Sequence, residues 1–354
     1  MSHKIELESP IFSLCSLKSH LIIACGGGAA KFGVKNKLLM YKINGSSFGK
    51  KEHEEELGDE TPTFLSGFEK IDGFLASVSE FTFVYIIKEE KFEKIFQLQT
   101  VDLKREDLFQ SCVKSNATLL AAGSSAGELK VYTIEYSAQS PVEIKSISKI
   151  GENLTAHLKA INNLEIIIKK KGAVELVVTA SGDGTCKVFD VLKPENNKPL
   201  RLISKFSFRQ KESEPYNYFM RDLIYDEYYG YLYTLQSLQR GKSFLTKWSL
   251  QNVNNILPLD TLNVSETTCS SISLHHSKKY IGVTDCEGEI SFVNCADMTV
   301  LGSRTIGENM IKCGCMSGNY YITGGAMDNT VRISGVKTGS LCKCIKSLFY
   351  LNFY

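Results

Sequence analysis

Three groups of residues have types and spacings that could do chemistry. The first is the glycine-rich run Cys25-Gly26-Gly27-Gly28-Ala29-Ala30-Lys31-Phe32-Gly33-Val34-Lys35-Asn36-Lys37. A Walker-type phosphate loop needs G-x-x-x-x-G-K-[ST], so that a lysine and a hydroxyl sit where backbone N–H groups converge. Gly28 and Gly33 have the glycine spacing, but Val34 and Lys35 follow. The dinucleotide pattern G-x-G-x-x-G, begun at Gly26, ends on Lys31. Both motifs lead into a helix, whereas KNKLLMYKI alternates with the two-residue rhythm of a strand. Direct nucleotide binding is not expected. The second group, His157, Ser181 and Asp183, has the residue types of a hydrolytic triad. The third is the pair of C-x-C spacings, Cys313 with Cys315 and Cys342 with Cys344, which lack the C-x-x-C knuckles or histidine partners of a zinc site. Buried structural thiols are the expectation there.

The elements that must position these residues are strands. One unit recurs seven times: a short apolar strand, a turn, and a second strand with an aromatic at its fifth position. HLIIACGGG precedes KLLMYKI, GFLASVSE precedes FTFVYII, LLAAGSSAG precedes ELKVYTI, and LVVTASGDG precedes TCKVFDV. LYTLQSLQRGKS, YIGVTDCEG and YYITGGAMDN then lead into FLTKWSL, EISFVNC and TVRISGV. The fifth positions are Tyr41, Tyr85, Tyr132, Phe189, Trp248, Val293 and Ser334. Two more strand-like runs flank each pair, giving four strands per repeat of roughly 40 to 57 residues, the period of a β-propeller blade. The fold expected is all-β, a seven-bladed propeller over residues 1–336. KIELES at the N-terminus supplies the strand that the last blade lacks, and residues 337–354 lie outside the ring.

The fourth copy is similar to a WD repeat, with His157 in the leading turn, Asp183 in the hairpin turn and Phe189 where tryptophan is usual. In that pattern the histidine, the aspartate and a serine or threonine form a structural hydrogen-bond network, so no hydrolase is expected. Trp248 stands at the aromatic register and is expected to pack within its blade. The charged run from Lys50 to Glu60 and the cluster Lys169 to Lys171 are expected as solvated loop or edge-strand residues.

Composition narrows the class. A hydrophobic content of 43% with 23% charged residues is that of a folded globular chain. With 41 Lys and Arg against 39 Asp and Glu, no overall charge draws the protein to nucleic acid. The eleven cysteines are scattered and no secretory leader pattern precedes them, so reduced thiols in the cytosol are expected.

The glycine run is therefore an excursion between two neighbouring strands of the first blade. Three successive glycines let the backbone take positive φ and turn several carbonyls to one point, as a cation requires; a plain surface loop is equally compatible. GGGAAKFGVKN resembles the loop of the Sec-twelve and prolactin-regulatory-element-binding family, and Glu60-Thr61-Pro62-Thr63 before the second blade extends the likeness. Those proteins are seven-bladed propellers that act as guanine nucleotide exchange factors for the Sar GTPase of the COPII coat. The resemblance implies a regulator, not an enzyme, that promotes GDP release through a potassium-ordered loop. It implies potassium held mainly by the backbone carbonyls of Gly26, Gly27 and Gly28 together with Asn36, and an exchange role for Val34 and Asn36. The GTPase-binding surface it implies comprises Gly28, Ala29, Ala30, Lys31, Phe32, Gly33, Val34, Lys35, Thr61 and Pro62. Cys25 stands where the family has its first glycine. Partners follow: a Sar-type GTPase and, through a segment after residue 354, the cytosolic face of the endoplasmic reticulum membrane, with no nucleic acid and no small-molecule substrate. The tail CKCIKSLFYLNFY is too short to span a bilayer and resembles the approach to such an anchor. A scaffold that binds the GTPase or coat proteins without exchange is the alternative.

Overall fold

The computed structural model describes residues 4–28, 33–102, 108–137, 143–168, 175–191, 200–208, 218–307 and 309–336. The tail 337–354, including Cys342 and Cys344, lies outside them, as do Lys169, Lys170 and Lys171. Seven four-stranded antiparallel sheets are arranged in chain order, six of them simple meanders and the seventh completed by the N-terminal strand. Blade 1 consists of Ile11–Leu17, His20–Cys25, Asn36–Asn44 and Ser47–Gly58. Blades 2 to 6 cover 62–99, 110–153, 161–206, 219–265 and 269–305. Blade 7 takes three strands from 311–335, and its outermost strand is Lys4–Glu6, with Ile5 opposite Val331. The ring thus closes as the sequence predicts. Closure pairs a strand edge that would otherwise offer open N–H and C=O groups.

The recurring fifth position occupies one structural register. Tyr41, Tyr85, Tyr132, Phe189, Trp248, Val293 and Ser334 lie opposite Leu21, Phe74, Leu120, Val177, Leu232, Ile281 and Tyr321. In blade 7 the aromatic has crossed to the neighbouring strand. Tyr321 is fully buried where Ser334 gives it room, and its ring lies so close to Gly282 and Gly314 that a Cβ on either would overlap it. Among the described residues the core is divided into seven clusters, one at each junction between adjacent blades.

The innermost strands surround a channel of about 880 Å³ and are stitched together by side chains. Ser13 Oγ accepts from Leu65 N, Thr63 donates to Gln110 O, and Ser111 to Ile161 O. Asn162 donates to Met220 O, Asp222 accepts from Ile272 N, and Ser273 accepts from Met316 N. Six of the seven junctions are thereby bridged near the axis.

The charged run 50–58 is the outer edge strand of blade 1, as expected for solvated charge. Glu52 departs from that rule: its side chain is 1% exposed and lies 3.2 Å from His20 Nε2. Among the described residues no helix is long and apolar enough to cross a membrane.

Candidate functional site

In a four-stranded meander, the turn between the second and third strands and the link from the fourth strand to the next blade open on the same face. The glycine loop of blade 1 and the link from Gly58 to Pro62 therefore lie side by side. Asn36, 1% exposed, joins them. Its Oδ1 accepts from Gly28 N at 3.1 Å, and its Nδ2 donates to Gly28 O at 2.7 Å and to Gly58 O at 3.2 Å. One carboxamide thus reproduces a pair of backbone hydrogen bonds and adds a tether to Gly58, the end of the outer strand of the same blade.

Below that clamp the neck is closed by Gly26 N donating to Pro10 O at 3.0 Å and Gly27 N to Val34 O at 3.3 Å. The glycines are required by this geometry. A Cβ on Gly26 would come within 2.1 Å of Asn36 Oδ1, and Gly28 has φ of +82°, a left-handed conformation costly to other residues. Cys25 needs no such freedom, because it is the last residue of its strand, opposite Ile11 and Lys37. Its thiol is buried between blades 7 and 1, and burial pushes its pKa up.

Of the residues assigned to the loop surface, Ala29, Ala30, Lys31 and Phe32 lie outside the described residues. Gly33 has φ of +69°, and Val34 leaves the loop with 41% of its surface exposed. Lys35 pairs with Glu56 at 2.7 Å, both side chains at least half exposed, a weak contact that a partner can replace. Lys37 and Lys51 both bond Glu54, holding its carboxyl below the usual carboxylate range. Thr61 exchanges backbone contacts with the Ser79 turn of blade 2, its N–H donating to Ser79 Oγ at 3.0 Å. Pro62 is buried opposite Val78 and sets where Thr61 stands; it presents no surface of its own. A cleft of about 680 Å³ beside the loop is lined by Glu6, Ser9, Val34, Lys37, Tyr41 and Glu54, among others.

The donor set at the neck suits a monovalent cation. Among the described residues Gly28 O and Asn36 Oδ1 each accept one hydrogen bond, which leaves each a second lone pair, and no carboxylate joins them. Carbonyl oxygens without carboxylates match potassium better than a divalent ion.

The His157 group is a buried network, not a nucleophile with its base. His157 Nδ1 meets Asp183 Oδ2 at 2.9 Å and Nε2 meets Thr179 Oγ1 at 2.7 Å, while Ser181 Oγ donates to Lys159 O. Burial alone would raise the Asp183 pKa, but hydrogen bonds from His157 and Thr185 hold it far below the usual value. Blade 5 has an analogous chain from Trp248 Nε1 through Thr234 to Gln236. Cys313 and Cys315 are half-buried beside the central channel, not fully buried as expected, and burial of the thiols pushes the former to about 12.

Sequence reading missed Gly58 as the second anchor of the loop. Its signal was a glycine closing a charged edge strand, where φ is +62°.

Fold and network together define a seven-bladed propeller of WD-repeat type. It is similar to the crystal structure of Saccharomyces cerevisiae Sqt1, with a TM-score of 0.64 at 13% identity, covering 96% of this chain and 86% of that one. It is also similar to the computationally designed Ika8 protein, with a TM-score of 0.58 at 13% identity, over 93% and 97% of the two chains. No family model and no curated protein matches the sequence. At such identity these likenesses speak for the fold alone.

Proposed function

We propose that this propeller is a guanine nucleotide exchange factor for a Sar-type small GTPase, acting through the glycine loop of blade 1 at the cytosolic face of the endoplasmic reticulum membrane. The observation that carries the reading is the Asn36 clamp: a buried side chain committed to holding the neck of a surface loop and tying it to the end of the blade's outer strand. Preorganisation of this kind lowers the entropy lost when a loop engages a partner. The family resemblance of GGGAAKFGVKN supplies the partner class.

Exchange needs no covalent step. A factor that binds the nucleotide-free GTPase more tightly than the GDP form accelerates release by that difference in affinity. The GTPase switch segments are ordered by nucleotide and Mg²⁺, so an apolar group pressed against them competes with the ordered form. Val34 supplies the apolar group, Lys35 a cation that can leave Glu56 for an acidic switch residue, and Thr61 the neighbouring rim. Potassium would be held by the carbonyls of Gly26, Gly27 and Gly28 with Asn36 Oδ1, where it would stiffen the loop.

The test is release of fluorescent GDP from a Sar-type GTPase. Wild-type protein accelerates it, and Asn36→Ala or Val34→Asp reduces that acceleration at least about tenfold, a loss near 1.4 kcal/mol. Replacing potassium with lithium or a large organic cation also slows it. Unchanged release in both variants removes the loop as the active element. Binding to the GTPase without acceleration establishes the scaffold reading instead.

A further inference from the structure

The same face carries a second group of side chains at blades 4 and 5, two exposed and two half-buried, well round the ring from the glycine loop. Leu158 is 91% exposed, the highest value among the exposed large hydrophobic residues described. Next to it, Lys159 Nζ stands 5.0 Å from the centroid of the Phe219 ring, and Arg221 Cζ stands 5.2 Å from the same centroid. We propose that Leu158, Lys159, Phe219 and Arg221 form a docking site for an acidic segment of a protein partner that also bears an apolar side chain.

Three observations support this. The first is uncompensated charge. Neither cation has a carboxylate within ion-pair distance among the described residues, whereas Lys35, Lys37, Lys114 and Arg332 each have one. Arg221 Nε is buried without a hydrogen-bond partner, and burial lowers the Arg221 pKa with no acidic group acting against it. Two cations gathered on one aromatic ring gain from the ring quadrupole but repel each other, an arrangement that an anion relieves.

The second is rigidity. Leu158 N–H donates to Asp183 Oδ2 at 3.1 Å, Lys159 O accepts from Ser181 Oγ at 3.0 Å, and Ala160 O accepts from Gly182 N at 3.0 Å. The His157–Asp183 network therefore holds an exposed leucine and its neighbouring lysine in one orientation. Such preorganisation reduces the ordering cost of binding. The third is composition. A fully exposed leucine beside only two cations suits a protein segment better than nucleic acid, whose backbone calls for many phosphate contacts.

The experiment uses a fluorescein-labelled synthetic peptide of alternating glutamate and leucine, followed by anisotropy. Wild-type protein binds it, and binding weakens as salt rises. Lys159→Glu weakens it at least about tenfold and Leu158→Ser several-fold. Both residues are exposed, so the variants fold, as an unchanged melting curve verifies. Arg221→Gln gives a loss comparable to Lys159→Glu. Val34→Asp in the glycine loop binds the peptide like the wild type, which separates this site from the exchange reading. Absence of binding to wild type, or equal binding by Lys159→Glu, overturns the proposal. So does preferential binding of phosphatidylserine vesicles or of a single-stranded oligonucleotide with the same dependence on Lys159, since that assigns the surface to a different class of ligand.

Discussion

Asn36 shows how one side chain converts a permissive backbone into a defined one. Glycines at 26, 27 and 28 let the chain pass close to Asn36, and Asn36 in turn satisfies both polar groups of Gly28. Removing either side of that contact has the same consequence. Asn36→Ala leaves buried donors and acceptors unpaired, and Gly26→Ala drives a methyl group into Asn36. Each is expected to lower stability by about 2 kcal/mol. The double variant is expected to lose much less than the sum, because both changes break one contact. Urea unfolding of the four proteins measures the coupling, and strict additivity would show that the two residues act separately. The types and spacing of these residues were legible in the sequence. The reach of Asn36 to Gly58 was not, because strand periodicity does not show which backbone group a side-chain amide meets.

Among the strands, the shortest has the largest topological role. Lys4–Glu6 makes three register pairs with blade 7, Leu7 N–H adds a bond to Asn329 O, and Ile5 and Leu7 pack against the core between blades 7 and 1. Deleting residues 1–8 leaves the edge of Thr330–Gly335 unpaired and uncovers that core. A fall in Tm of about 5 °C or more is expected, together with self-association through the exposed edge. Differential scanning fluorimetry and light scattering measure the two effects; a monomer with unaltered Tm would mean that closure contributes little. The sequence disclosed this closure because blade 7 was one strand short. It also disclosed the blade register, since aromatic side chains need the same depth in every sheet. Blade 7 kept that depth by moving the aromatic to Tyr321.

For the molecule as a whole, Asp222 is the junction of three blades. Its Oδ1 accepts from Asn163 of blade 4 and from Leu223 N–H, and its Oδ2 accepts from Ile272 N–H of blade 6. Burial pushes its pKa up to about 6, outweighing those three donors and the nearby Lys114. A carboxyl raised in the folded state contributes stability that is complete below its unfolded pKa and is lost as pH rises through the folded value. Between about pH 4 and pH 6 Asp222 therefore lowers stability as pH rises, whereas lowered carboxyls such as Glu54 and Asp183 have added most of theirs by about pH 5. In Asp222→Asn, Tm is expected to be lower throughout, since the amide meets the Ile272 N–H with a donor, and to lack the decline that Asp222 causes across that window. Parallel wild-type and variant profiles would show that Asp222 does not titrate there.

The sequence by itself determined the architecture. Seven recurrences of one strand pair, an aromatic at one register and a spare N-terminal strand leave a closed seven-bladed ring as the arrangement that buries the apolar faces between blades and completes the last blade. It also located the glycine loop and separated the His157 network from a hydrolytic site. Tertiary structure alone decided which groups from different repeats meet: Asp222 with Asn163 and Ile272, and Lys159 with Phe219 and Arg221. Such contacts depend on how neighbouring blades are set against one another. A repeat pattern carries the geometry within a blade, while the angle and spacing between blades follow from packing that no single repeat contains.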